Sequence, residues 1–107
     1  MAAPSRNNQQ TTRSTANATS YTLSGYTPVS GSGRVLVVRV SGQRSDTTDF
    51  TWSVTFGGVG MTEAATVRGT STGRGYRVSI FYLINPSTTA GDIVATISSG
   101  GALVGAI

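Results

Sequence analysis

The stretch Thr51-Trp52-Ser53-Val54-Thr55-Phe56-Gly57-Gly58 decides the fold of this chain. Trp52, Val54 and Phe56 alternate with Thr51, Ser53 and Thr55. That is the period-two pattern of a half-buried strand with an aromatic inner face. Gly57-Gly58 then turns the chain.

The same reading extends in both directions. Upstream, Arg34-Val35-Leu36-Val37-Val38-Arg39-Val40 is the strongest strand. Its centre is apolar on both faces, which predicts a central strand covered on both sides. Tyr21, Leu23 and Tyr26 give a weaker first strand, broken by Pro28 and Ser30-Gly31-Ser32-Gly33. The stretch Ser41 to Asp49 reads as a loop. Downstream, a short strand is expected near Met61 to Val67, then a loop from Arg68 to Gly75, then a long strand from Tyr76 to Leu83. On that strand Tyr76, Val78, Ile80 and Tyr82 share one face, and Arg77, Ser79, Phe81 and Leu83 share the other. Asn85-Pro86 ends it, because proline lacks the N–H that a ladder needs. Ile93, Ala95 and Ile97 mark another strand, and Ala102 to Ile107 a last apolar one.

No window shows a helical apolar stripe. The expected fold is therefore all-β: an antiparallel β-sandwich, jelly-roll-like, of about seven strands. The open edges of such a sandwich can be covered by a second chain. The domain is expected to span residues 21–107. Residues 2–20 hold no large apolar side chain. A segment of that kind cannot offset its ordering entropy alone, so residues 1–20 read as an extended polar arm held by another molecule.

Composition narrows the function classes. The chain has 107 residues, a formal charge of +4, 37% apolar residues and 11% charged ones. Its eight basic residues are all arginine, at 6, 13, 34, 39, 44, 68, 74 and 77. Arginine suits bidentate recognition of carboxylates and phosphates, yet these arginines are scattered, so no nucleic-acid partner is expected. The chain has no cysteine and no histidine, so Ser–His and Cys–His nucleophiles are absent. Ser–Lys variants fail because lysine is absent too. The acids are Asp46, Asp49, Glu63 and Asp92. Asp46 and Asp49 share a loop without the facing geometry of a glycosidase pair and read as turn residues.

Other sites are equally thin. A calcium site in Ser45 to Asp49 lacks EF-hand spacing, and pairing of Arg44 with a carboxylate is the simpler reading. Gly69 to Gly75 resembles a phosphate loop only superficially, since a strand follows where a helix belongs. Trp52, Tyr76 and Tyr82 would form a sugar-stacking platform if exposed, but their alternate spacing reads as core. Asn17-Ala18-Thr19 fits a glycosylation acceptor. The N-terminus lacks the apolar core of a secretory signal, and no apolar run is long enough to span a membrane as a helix. No catalytic residue, metal ligand, cofactor or membrane partner is expected, and the chain does not read as an enzyme.

Four segments carry a family resemblance: Val35-Leu36-Val37-Val38; Ser53-Val54-Thr55-Phe56-Gly57-Gly58-Val59-Gly60-Met61-Thr62; Ser79-Ile80-Phe81-Tyr82-Leu83-Ile84-Asn85-Pro86; and Asp92-Ile93-Val94-Ala95-Thr96-Ile97-Ser98. Through them residues 34–107 resemble a β-sandwich of phage structural proteins and secreted bacterial surface proteins. The resemblance implies a non-catalytic scaffold module. With the polar arm, it points to a phage capsid cement or decoration protein that binds and stabilises the shell. The implied partners are the major capsid protein or other virion subunits, and further copies in a homo-oligomer. The implied location is the virion, assembled in the host cytoplasm. Arg6, Asn7, Asn8 and Arg13 of the arm are the expected partner-binding residues. Two alternatives remain: a carbohydrate-binding module of a tail fibre or surface protein, and a fibre subunit that donates a strand to its neighbour.

Overall fold

The computed structural model of the chain describes residues 9–14, 19–98 and 104–106. Among these residues there is no helix. Nine strands run in the order β1 (Arg13–Ser14), β2 (Ser20–Tyr26), β3 (Val35–Arg44), β4 (Trp52–Phe56), β5 (Val59–Gly60), β6 (Thr62–Ser71), β7 (Arg74–Ile84), β8 (Gly91–Ile97) and β9 (Val104–Ala106). They form two antiparallel sheets, ordered β1-β9-β3-β7-β6 and β2-β8-β4-β5. The seven strands expected from sequence are all present; β1 and β5, of two residues each, are additional.

The core lies between the sheets and follows the alternation of the strands. Leu36, Val38 and Val40 of β3 and Phe81 of β7 come from one side. Tyr21, Leu23 and Tyr26 of β2, Trp52, Val54 and Phe56 of β4, and Ile93, Ala95 and Ile97 of β8 come from the other. Trp52 sits among edge-on aromatic neighbours, its ring centroid 6.1 Å from that of Tyr21 and 5.9 Å from that of Phe50. Its indole Nε1–H donates to the Arg77 carbonyl at 3.3 Å, so the polar end of the buried ring is satisfied as burial requires.

Three expectations are corrected. The segment from Arg68 to Gly75 is not a loop: β6 and β7 pair up to Ser71↔Arg74, leaving only Thr72-Gly73 as the turn. Glycine and hydroxyl residues suggest loops, but the ladder uses backbone groups and a long neighbour imposes the strand. Likewise β3 does not end at Val40. It runs on to Arg44, opposite Gly75. Finally, β3 is central in its sheet but covered on one face only; Val35 and Val37 point outward and are exposed among the described residues.

The arm also acquires a partner within the chain. Arg13 and Ser14 pair antiparallel with Ala106 and Gly105 of β9, and β9 pairs with β3. Arg6, Asn7 and Asn8 lie outside the described residues, as do the acceptor residues Asn17 and Ala18.

Two stability outcomes follow. Trp52→Ala, which removes the largest core ring, is expected to cost about 3–5 kcal/mol in denaturant unfolding. In the β6–β7 turn both residues have positive φ, 49° at Thr72 and 74° at Gly73. A β-branched residue is strained there. Thr72→Asn is therefore expected to stabilise the domain by on the order of 1 kcal/mol in the same measurement.

Candidate interaction surface

Each sheet has one face in the core and one outside, and the two outer faces differ in chemistry. On the four-stranded sheet the outward positions are mostly polar, Ser20, Thr22, Ser24, Ser53, Thr55 and Thr96, with the half-buried Val94 among them. On the five-stranded sheet they are largely apolar at the centre, with Arg39, Ser41, Gln43 and Thr62 among them. Val35 faces Ile84 across the β3–β7 ladder, Val37 faces Tyr82, and Ser41 faces Val78. The β6–β7 ladder adds Val67 beside Val78 and Ala65 beside Ile80. Val35, Val37, Val67, Val78, Ile80 and Ile84 are all exposed, Val67 and Ile84 at 70% and 66%. Because adjacent register positions are neighbours in space, these side chains form one continuous apolar surface. Arg39, opposite Ile80, places a cation within it.

This arrangement sorts the aromatic residues. Trp52 is a core residue, as its spacing predicts. Tyr76 and Tyr82 are not: they are half-buried and lie on the outer face with Val78 and Ile80. The core needs only one face of β7, and Phe81, Ser79 and Arg77 occupy it. The two tyrosines stand six residues apart on one strand, roughly 20 Å. They do not form a compact ring platform with Trp52.

A polar clamp closes one end of the sandwich. Asp49, in the loop before β4, accepts with Oδ1 from Arg77 Nη2 at 2.7 Å and from its neighbour Phe50 N–H at 2.8 Å, and Arg68 Nε forms an ion pair with the same oxygen at 3.0 Å. Arg77 is buried and also donates from Nη1 to Thr66 Oγ1 at 2.7 Å. Ser79 Oγ donates to the same hydroxyl at 2.9 Å. Arg68 Nη2 donates to the Thr47 carbonyl at 2.6 Å. The loop comes so close to the hairpin that a Cβ on Gly75 would stand 3.1 Å from the Asp46 carbonyl oxygen. Asp46 itself takes a bidentate pair from Arg44, at 2.9 and 3.0 Å. The pairing of Arg44 with a carboxylate expected from sequence is thus present, and Asp46 and Asp49 serve loop anchoring. The clamp was not legible in sequence, because Asp49 and Arg77 are 28 residues apart.

Other chemistry is sparse. Among the described residues no group of three or more His, Cys, Asp or Glu side chains is placed to hold a metal. A shallow depression of about 160 Å³ is lined by Phe56, Gly57, Val59, Leu83, Ser87, Thr89 and Ala90, none of them titratable. No helix among the described residues is long and apolar enough to cross a membrane. The expected partner-binding residue Arg13 lies in β1; its backbone pairs with β9.

The clamp has a pH signature. The hydrogen bond from Arg77 lowers the Asp49 carboxyl below its usual value, and that from Arg44 does the same for Asp46. Carboxyls depressed on folding add stability that is complete above their unfolded value, about 3.9, and is lost as pH falls through the lower folded values. Thermal melting is therefore expected to be level from neutral pH to about 5 and to fall below about pH 4. Asp49→Asn is expected to lower the neutral melting point and flatten the acid limb. Both acids are half-exposed, so added salt is expected to weaken the effect.

No protein-family model, curated protein or solved structure matches this chain.

Proposed function

We propose that this chain is a non-enzymatic structural subunit that docks onto a larger assembly through the outer face of its five-stranded sheet. The observation that carries the reading is the continuous apolar surface of Val35, Val37, Val67, Val78, Ile80 and Ile84, opposite a mostly polar outer face on the second sheet. An apolar surface of that continuity is costly in water and marks a contact site. Arg39 within it suits a partner that brings a carboxylate.

The finer reading, a phage capsid cement or decoration protein, comes from the sequence resemblance. In it the sheet lies against the major capsid protein or another virion subunit. The arm, through Arg6, Asn7, Asn8 and Arg13, reaches neighbouring subunits. Several arms on one lattice would add avidity to individually small contacts. The carbohydrate-binding alternative has less support, because Trp52 is committed to the core and the outer tyrosines are separated by valine and isoleucine.

The absence of native cysteine allows a direct test. Val78→Cys on the apolar face and Thr22→Cys on the polar face are each treated with a maleimide, free and in particles purified from the source. Both are expected to react in the free protein. In particles the Val78→Cys thiol is expected to react at least about tenfold more slowly, with Thr22→Cys little changed. Equal labelling of both sites in the particle, or absence of the chain from particles, would overturn the reading.

A further inference from the structure

β6 is the outermost strand of its sheet, and the edge away from β7 has no strand beside it among the described residues. All ten of its residues are exposed. Long edges are blunted by proline, by charged side chains or by bulges; Thr62-Glu63-Ala64-Ala65-Thr66-Val67-Arg68-Gly69-Thr70-Ser71 has no proline or lysine, and its charges are Glu63 and Arg68, of opposite sign. It carries one bulge, at Ala64, where the register with β7 shifts between Glu63 and Ala65.

The bulge changes which charges share a face. In an unbroken strand residues 63 and 68 would point to opposite sides. Here Glu63 lies opposite Phe81 and Arg68 opposite Arg77, and Phe81 and Arg77 both point into the sandwich. Glu63 and Arg68 therefore lie on the same side of β6. The Glu63 carboxylate has no hydrogen bond or ion pair among the described residues. Arg68 uses Nε and Nη2 for Asp49 and Thr47 and has Nη1 to spare.

We infer that two copies of this chain pair antiparallel along β6, about a two-fold axis normal to the sheet at Thr66. Thr66 then faces Thr66 of the second copy, Ala65 faces Val67, Thr62 faces Gly69 and Glu63 faces Arg68. Symmetry makes each unlike pair occur twice. Moving the axis to Val67 sets Glu63 against Thr70 and Arg68 against Thr66. Moving it to Ala65 sets Glu63 against Thr66. Among these neighbouring registers, the Thr66 axis is the one that brings the opposite charges together, and such selection between registers is what charged pairs do best. The backbone groups of the two edges exchange water for one another, a modest gain each. The axis keeps both outer faces on the same side. The dimer therefore presents a doubled apolar surface, a use that rests on the docking role proposed above, whereas the pairing stands on β6 alone.

The test uses the full chain in sedimentation velocity over a wide concentration range. The unmodified chain is expected to dimerise. Glu63→Arg, which sets arginine against arginine twice, is expected to weaken dimerisation about tenfold or more. The exchange Glu63→Arg with Arg68→Glu is expected to restore it. Since Arg68 also serves Asp49, a second experiment avoids it: chains carrying Ala65→Cys and Val67→Cys are oxidised separately and mixed. A disulfide is expected only in the mixture, because only unlike positions face each other at bonding range. A chain monomeric throughout, a trimer, a disulfide in either chain alone, or a dimer sensitive to Ile80→Lys but not to Glu63→Arg would each overturn the inference. A dimer that does not protect Val78→Cys in particles sinks only the docking role; a monomer that does protect it sinks only the dimer.

Discussion

A two-layer sandwich has one core, and each sheet spends one face on it. In this chain the inner faces are filled by the alternate residues of β2, β3, β4, β7 and β8, with the Trp52, Tyr21 and Phe50 rings at one end. Everything else depends on that packing. It fixes which side of each strand faces out, and so makes the exterior a direct consequence of the interior. On the four-stranded sheet the consequence is ordinary: the outward residues are mostly threonines and serines. On the five-stranded sheet most of the outward residues are valines, isoleucines and tyrosines, with Arg39 among them. The core gains nothing from them, since they point away from it. Their cost in water is the physical basis of the docking role proposed for that face.

The clamp at Asp49 has a different role. It draws together the loop before β4, the β6–β7 hairpin and, through the Arg77 carbonyl, the Trp52 indole. The Arg77 guanidinium is buried and would be costly without its carboxylate. Gly75 permits the loop to lie against the hairpin. Thus the far part of β7 and the inner side of β6 are held by polar bonds where the second sheet does not reach. β6 stays paired with β7 along its length, apart from the bulge at Ala64, although every one of its residues is exposed.

Much of the sandwich was legible from residues alone. Alternation at Trp52, Val54 and Phe56 and at Ile93, Ala95 and Ile97 identified strands and their buried sides. Asn85-Pro86 marked the end of β7. The β6–β7 hairpin was underestimated because Thr, Ser and Gly have little strand preference of their own, and the pairing that imposes it is visible only once β7 lies alongside. The apolar outer face was half legible. The valines of β3 were visibly apolar on both sides, but the two-sided cover that this pattern predicted is not what the described residues provide: they cover one side, and Val35 and Val37 stay exposed.

The sequence by itself determined the all-β class, most strand positions, the absence of thiol and imidazole chemistry, and the two-sided apolarity of β3, because these depend on residue type and local spacing. Tertiary structure decided which face of β7 the core would take, which distant acid would meet Arg77, and that a bulge at Ala64 would bring Glu63 and Arg68 to the same side. Those outcomes depend on how strands align with one another, and register is a property of pairs of segments that no single segment encodes.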